Sequence, residues 1–350
     1  MNRQTLLVLL LIFLVILRIE SNGGLEKPDS SDPELEKYTE YLTPYREFLA
    51  GKINDFLPQP QAALLAGILL GEKSSLDKDF SNALRRTSTI HIVVVSGQNL
   101  TLLIGALMAF VTVLGRKKTI IISLIIILIY SLLTGMQIPV LRAAIMVSIA
   151  LLAQLFGREA ESTWVLLITG LLMLIYQPNW LLSISFQLSF LATVGVIAVA
   201  PKVVKNLQFL PQFIREDIGV SLAAQALTWP IIAANFHQAS IIGVFTNIFV
   251  LWTISIIMIS GIFALIGGLI NPLLGWVIAL IPGILLTYFV YIVGFFNSLP
   301  LASVYVGKTS PLVWLGYYIL ILGIFFYLKE KTKDLPEDLS LKNKIYQKAG

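Results

Sequence analysis

Long apolar runs, each broken by only a few polar positions, follow one another along the chain after residue 90. A bilayer core of about 30 Å is crossed by about 20 predominantly apolar residues in helical form. The spacing of these runs therefore predicts a series of transmembrane helices joined by short loops.

Ten runs predict membrane spans. The first, Leu6–Ile19, is short and lies between Arg3 and Arg18. No small-residue cleavage pattern follows Glu20, so we expect an uncleaved anchor rather than a signal peptide. The other nine predicted spans lie at about 90–114, 119–134, 138–156, 162–177, 181–200, 218–235, 241–268, 273–297 and 312–328.

Composition excludes a soluble fold. Hydrophobic residues make up 57% of the 350 residues and charged residues only 13%, whereas a soluble domain carries about 25% charge. No charged residue occurs between Ile218 and Gly307, and the absence of cysteine excludes disulfides and thiolate metal sites. The predicted fold class is an all-α polytopic membrane protein.

The charges between the runs predict the orientation, because cytoplasmic loops are enriched in Lys and Arg. If the N-terminus is cytoplasmic, the inside loops carry Arg116–Lys118, Arg158 and the basic positions of 202–215, while the outside loops carry one cation, Lys308. The segment 20–58, with nine acidic and four basic residues, also lies outside. We predict about ten spans with both termini cytoplasmic, so the net charge of +5 reflects topology and does not indicate nucleic-acid binding.

Two further segments predict elements that do not cross the membrane. The run Ala62–Leu70 is too short to span and predicts a short interfacial or re-entrant helix packed on the bundle. Residues 201–217 mix apolar and basic positions, which favours an amphipathic segment on the cytoplasmic surface. The predicted organisation is an anchor helix at 1–19, an acidic extracytoplasmic segment at 20–59, a transmembrane domain at 60–328 and a charged cytoplasmic tail at 329–350.

Polar residues inside the spans are the candidates for function, because lipid penalises them. The competing interpretation for each is a hydrogen bond between helices. Ser96, Gln98 and Asn99 surround Gly97, which allows a helix break whose free carbonyl groups line a cavity. Arg142 is the only charge clearly inside a span. It either faces the interior, available to an anion, or extends to the outer headgroups.

The remaining candidates are scattered over later spans. Gln187 lies in mid-span, and Pro230 predicts a kink beside Trp229 because it has no backbone N–H. The full set of polar candidates within the spans and at their ends is His91, Ser96, Gln98, Asn99, Arg142, Gln187, Gln225, Trp229, Asn235 and His237.

Catalytic groups are sparse. The spans contain no acidic residue, and the chain has no phosphate-binding loop and no dinucleotide fingerprint. His91 and His237 together, without a carboxylate, make a poor metal site. We therefore expect no catalytic residue, no metal, no cofactor and no enzymatic activity.

Five segments, in this order, resemble the competence domain of ComEC-type DNA-uptake proteins. They are LLAGILLGEKSSL (64–76), HIVVVSGQNL (91–100), IPVLRAAIM (138–146), SFQLSFLATVG (185–195) and TWPIIAANFHQASIIGVFTN (228–247). Each is weak alone, but together they extend the resemblance from about residue 60 to 328. The chain departs from the family string at Asn99, where a second histidine is usual.

The resemblance implies a multi-pass channel in the bacterial cytoplasmic membrane that passes single-stranded DNA into the cytoplasm during natural transformation. It also implies a set of residues along the pathway, namely His91, Ser96, Asn99, Arg142, Gln187, Trp229, Asn235 and His237. It also implies membrane lipid, a separate DNA receptor, a separate nuclease and a cytoplasmic translocation motor as partners. Family members often carry an external OB-like domain and a C-terminal metallo-β-lactamase-like domain. We expect neither here, because 20–58 is short and acidic and 329–350 is too short.

Two other functions fit the same residues. One is transport of another anionic or amphiphilic envelope substrate on the same fold, and the other is a membrane scaffold that conducts nothing.

Overall fold

The structure is a computed structural model that describes residues 3–26, 39–72, 76–93, 95–240, 242–300, 302–307 and 311–331. Over these residues the chain is helical apart from one pair of two-residue strands, which confirms the all-α class. Residues 27–38 of the acidic segment, Lys308 and the tail after Lys331 lie outside the described residues.

The α-helices of the described part follow one another closely. They are α1 Arg3–Ser21, α2 Thr43–Phe56, α3 Gln61–Leu70, α4 Lys78–Arg86, α5 Ile90–Val93, α6 Gly97–Met108, α7 Val111–Leu114, α8 Arg116–Leu133, α9 Ile138–Leu155, α10 Ser162–Tyr176, α11 Ile184–Val194, α12 Ala200–Asn206, α13 Gln212–Phe236, α14 Gly243–Ile270, α15 Pro272–Asn297 and α16 Pro311–Lys331. A 3₁₀ turn (Pro178–Leu182) precedes α11, and a π-helical turn (Gly195–Val199) joins α11 to α12.

Within the described residues, five helical segments are long and apolar enough to cross a membrane. They coincide with five of the ten predicted spans and are 138–155, 184–206, 214–236, 243–270 and 272–297. The total of ten and the cytoplasmic position of the termini stay predictions.

The predicted span at 90–114 is not one continuous helix, and it contains the break that Gly97 allows; that the segment spans the membrane stays a prediction. The chain forms three shorter helices there, α5, α6 and α7, and Ser96 between the first two has an extended backbone, with φ −108° and ψ 161°. The break lies beside α9, where a Cβ at Gly97 would come within 2.9 Å of the Ala143 Cβ atom. Close packing of α9 against this glycine accompanies the break.

The helix α3 is a central element of the core. All nine residues of Ala62–Leu70 are buried, and residues of α2, α14 and α15 form one apolar cluster with them. A helix of ten residues is only about 15 Å long, so it cannot cross a bilayer. Its burial agrees with a helix packed on the bundle, and whether it is interfacial or re-entrant stays a prediction.

A second apolar cluster joins α6, α8 and α9, with Leu100, Ile127 and Val147 among its buried residues. In the first cluster, α14 and α15 form a hairpin whose connection is the single residue Asn271. Its side-chain oxygen accepts a hydrogen bond of 2.8 Å from the backbone N–H of Leu273, which caps α15.

Contacts between loops agree with the predicted sidedness. Three segments predicted to lie outside meet one another: the backbone N–H of Glu26 donates to Asn179 Oδ1 at 3.0 Å, and Nε of Arg46 donates to the Leu133 carbonyl oxygen at 2.9 Å. The strands β1 (Gln238–Ala239) and β2 (Val304–Tyr305) pair antiparallel and join two more outside loops. The structure contains no membrane, so which end faces the cytoplasm stays a prediction.

The predicted amphipathic segment at 201–217 is not one surface helix. Its first part belongs to α12, which continues the span of α11 through the π-helical turn, and its last part begins α13. At Gly195 in that turn, a Cβ would lie 2.5 Å from the Ala223 carbonyl oxygen of α13. The two helices thus contain most of the segment, and residues 207–211 lie between them.

The predicted kink residue Pro230 lies inside α13, which contains it without ending. Because proline lacks an N–H, the carbonyl group four residues earlier, that of Ala226, loses its helical donor. The hydroxyl of Tyr317 donates to that oxygen at 3.0 Å, and the hydroxyl of Tyr318 donates to the Leu227 oxygen at 3.1 Å. The helix α16 thus satisfies the backbone groups that the proline frees.

We predict that Tyr317→Phe lowers the free energy of unfolding by about 0.6–1.7 kcal/mol, the range of interhelical hydrogen bonds in membranes. In a Pro230→Ala background the restored N–H donates to Ala226, so the same change costs less. Unfolding in mixed micelles measures both values. Tyr291→Phe is the control, because the Tyr291 side chain is 72% exposed. An equal cost in the two backgrounds contradicts the assignment.

A second prediction concerns the burial of α3. A Cβ at Gly67 would lie 2.7 Å from Val93 Cγ1 and 2.9 Å from the Val93 carbonyl oxygen. Gly67→Ala should therefore force α3 away from α5 and destabilise the protein by about 1–3 kcal/mol. Gly105→Ala in α6, where a Cβ meets nothing within 4 Å, should be neutral or slightly stabilising. Thermal unfolding of the purified protein in detergent compares the two.

Candidate functional site

The start of α6 holds the first group of polar candidates. Ser96 precedes the helix but does not cap it with its side chain. Its hydroxyl donates instead to Asn99 Oδ1 at 3.1 Å. Gln98 points outward and is exposed, whereas Asn99 is buried.

Asn99 connects this helix start to α3. Its Nδ2 group donates to the Ile68 carbonyl oxygen at 2.9 Å. Ile68 is in the last turn of α3, where helix geometry leaves carbonyl groups without a donor. Both polar atoms of the Asn99 amide therefore have partners, which is the interhelical bonding that competed with the pathway interpretation. Its role as a pathway residue stays a prediction.

Arg142 lies in the first half of α9 and reaches α11. Its Nη1 group donates to the Ser189 carbonyl oxygen at 2.5 Å, and its Nη2 group lies 2.7 Å from where a Cβ of Gly97 would be. The Nε group is shielded from solvent and has no partner. The side chain as a whole is half-buried, so the guanidinium group faces the junction of α6, α9 and α11 rather than extending along a lipid-facing surface.

A second polar group lies between α13 and α14. The amide nitrogen of Gln225 is 2.9 Å from the Cβ position of Gly243, and the Ser88 side chain approaches the same glycine. Gln225 Nε2 and, one helical turn after Gly243, Asn247 Oδ1 are both buried without a partner. This donor and this acceptor are therefore available on adjacent helices.

The remaining candidates do not join either group. Nε2 of Gln187 donates back to the Leu181 carbonyl oxygen at 3.0 Å. Nδ2 of Asn235 bonds within its own helix at 2.8 Å. The Trp229 ring lies 6.4 Å from that of Tyr317, in the α13–α16 interface. His91, in α5, is exposed.

His237 ends α13 in the left-handed conformation, with φ 54°. Its carbonyl oxygen accepts a hydrogen bond of 3.0 Å from the Val306 N–H, so it anchors the strand pair. Its Nδ1 atom is buried without a partner. Among the described residues no three His, Cys, Asp or Glu side chains cluster as metal ligands, and the prediction of no metal rests on the sequence.

The structure thus brings Ser96, Asn99 and Arg142 together, and the sequence set omitted two residues at that junction. Ser189 contributes its backbone carbonyl group, and its hydroxyl is buried without a partner. Tyr130, on α8, also has a buried hydroxyl group, which lies close to the Asn99 side chain. Nothing in one sequence indicates that α11 packs beside Arg142.

We predict that Asn99→Leu lowers the free energy of unfolding by about 1–3 kcal/mol, because it leaves the buried Ile68 carbonyl oxygen without its donor. Thr101→Val is the control, since that hydroxyl bonds to the Gly97 carbonyl group of its own helix. Unfolding in detergent measures both variants, and an Asn99→Leu variant as stable as the wild type would contradict the role of the donor.

A comparison with family models identifies the family of this chain. The family model described as "Competence protein" matches residues 68–331. ComE operon protein 3 of Bacillus subtilis is 27% identical over 223 residues, which cover 62% of this chain and 27% of the relative. An uncharacterized protein of Aquifex aeolicus is 31% identical over 192 residues, which cover 54% of this chain and 44% of the relative. The uncharacterized protein YcaI of Escherichia coli is 25% identical over 234 residues, which cover 62% of this chain and 30% of the relative. The chain thus spans less than half of each relative, and no solved structure matches it significantly.

Proposed function

Because this chain belongs to the competence protein family, we propose that it forms a channel in the bacterial inner membrane that passes single-stranded DNA into the cytoplasm during natural transformation. The observation that carries the proposal is the junction of α6, α9 and α11, where one cation and several neutral polar groups meet in an apolar bundle. Among the described residues the ion pair is that of Lys52 with Asp55, and Arg142 has no carboxylate partner there.

The chemistry of this junction suits transport rather than capture. Proteins that hold single-stranded DNA combine a basic groove with aromatic platforms. A conduit needs sites weak enough to release what enters. One arginine beside Ser96 and Ser189 attracts a polyanion without retaining it. We propose that a separate receptor delivers DNA, a separate nuclease degrades the other strand, a cytoplasmic motor draws the strand in, and that this chain catalyses no reaction.

The uptake of labelled DNA tests this function. A deletion strain should transform at least a hundredfold less often than the parent and should internalise no labelled strand, while the wild-type gene restores both. DNA introduced by electroporation should still recombine, which confines the defect to entry. A deletion strain that transforms normally would contradict the proposal.

The same strain separates the two alternatives. A scaffold without a pathway predicts that Arg142→Ala and Gln187→Leu leave uptake intact, whereas a conducting path through the junction predicts that Arg142→Ala lowers it. If deletion alters the envelope but not DNA uptake, another anionic or amphiphilic substrate is favoured.

A further inference from the structure

Arg142 lies against the positive end of a helix. Its Nη2 group is 2.7 Å from the Cβ position of Gly97, the first residue of α6. The first N–H groups of a helix lack partners within it and carry a partial positive charge. The N–H of Asn99 has a backbone acceptor, the Ser96 carbonyl oxygen at 3.1 Å, but the Ser96 side chain caps none of these groups, because its hydroxyl bonds to the Asn99 side chain. The charge of Arg142 and the partial charge at the N-terminus of α6 therefore combine into one region of positive potential.

Within the part of the chain that the structure describes, no carboxylate forms an ion pair with Arg142. The sequence contains no Asp or Glu between Phe80 and Arg158 or between Ser162 and Arg215. Arg142 makes one hydrogen bond, to the Ser189 carbonyl oxygen, and its Nε group is buried without a partner. A shielded guanidinium group that lacks an acceptor destabilises the protein unless an anion supplies one.

Arg46 provides the internal comparison. Its Nε group also donates to one carbonyl oxygen, that of Leu133, and its Nη2 group is also buried without a partner. Arg46, however, lies at the C-terminal end of α8, beside Gly135. The partial negative charge of a helix C-terminus stabilises a cation there. Of these two arginines, only Arg142 faces a helix end that repels it.

We propose that Arg142 and the first turn of α6 bind a phosphodiester group, the only charged group of a DNA strand. This inference rests on the proposed function for the source of the ligand. A phosphodiester carries one negative charge on two oxygens, which suits the planar fork of arginine and the N–H groups of a helix start. The half-buried position of Arg142 and the exposed Gln98 leave one side open. Lipid headgroups contain the same chemical group.

Thermal unfolding tests the site directly. The full chain is purified in dodecyl maltoside, which contains no phosphate, and dimethyl phosphate is added at constant ionic strength with chloride as the replaced anion. The wild type should gain about 2 °C or more in Tm at saturation. Arg142→Gln should abolish the gain, and Arg142→Lys should need about tenfold more ligand because it loses the bidentate geometry. Arg46→Gln should keep the wild-type response.

The outcomes separate the site from the channel. A wild type that does not respond, or an Arg142→Gln variant that still does, overturns the site even if DNA uptake requires this chain. A gain with a ten-residue oligodeoxythymidine supports both the site and DNA as its source. A gain with dihexanoyl phosphatidylglycerol but not with the oligonucleotide supports the phosphodiester site and counts against DNA as the substrate. If Arg142→Gln does not fold, Arg142→Lys and Arg46→Gln still decide.

Discussion

Backbone carbonyl groups that broken or kinked helices leave without a donor are the constraint on which the rest of the structure depends. Lipid offers no hydrogen bond, so each such group needs a partner within the protein. Asn99 supplies one to Ile68, Tyr317 to Ala226, and Arg46 to Leu133. In each case the donor belongs to another helix, and the bond that repairs one helix also fixes its neighbour. Irregular backbone and tertiary contacts are therefore produced by the same interactions.

This constraint explains why the apolar helix α3 is buried without spanning. Its last turn ends at Gly71, whose left-handed backbone, with φ 74°, turns the chain towards Gln137 and Thr134. The bond from Asn99 satisfies one of its final carbonyl groups. The break before α6 places Asn99 at the end of α3, where it donates to the Ile68 carbonyl oxygen. The break at Gly97 and the burial of α3 therefore support each other. Neither would be stable in lipid alone.

Much of the architecture follows from hydropathy. Helices that cross in one piece, such as α9, α14 and α15, are within three residues of their predicted bounds because an apolar run of this length has few other stable conformations. The errors lie where packing overrides length. A run from 90 to 114 is apolar enough to span, yet close approach of α9 accompanies its division. The segment 201–217 is amphipathic in composition, yet its first part continues the apolar helical segment 184–206.

For the candidate site, residue types were predictable and their grouping was not. Intramembrane polarity identified Arg142 and Asn99, but one sequence carries no record of which helices touch, so Ser189 could not be paired with Arg142. Gln187 and Trp229 met the same polarity criterion. In the structure Gln187 bonds to the Leu181 carbonyl oxygen, and the Trp229 ring packs near that of Tyr317. Polarity in a span thus marks a residue that needs a partner, and only the fold distinguishes a partner in the protein from a ligand.

The distribution of charge between the two halves of the bundle limits where an anion can pass. The hairpin of α14 and α15 contains no charged residue and exposes large apolar side chains such as Phe249, Trp252 and Phe263, as a surface in contact with lipid does. The α6–α9–α11 side contains the lone arginine. A cation inside a span costs about 2.5–3.5 kcal/mol on insertion scales, and its one protein bond does not offset that cost. On our proposal a passing anion offsets part of this cost, which would place the path of a polyanion in the half that contains Arg142.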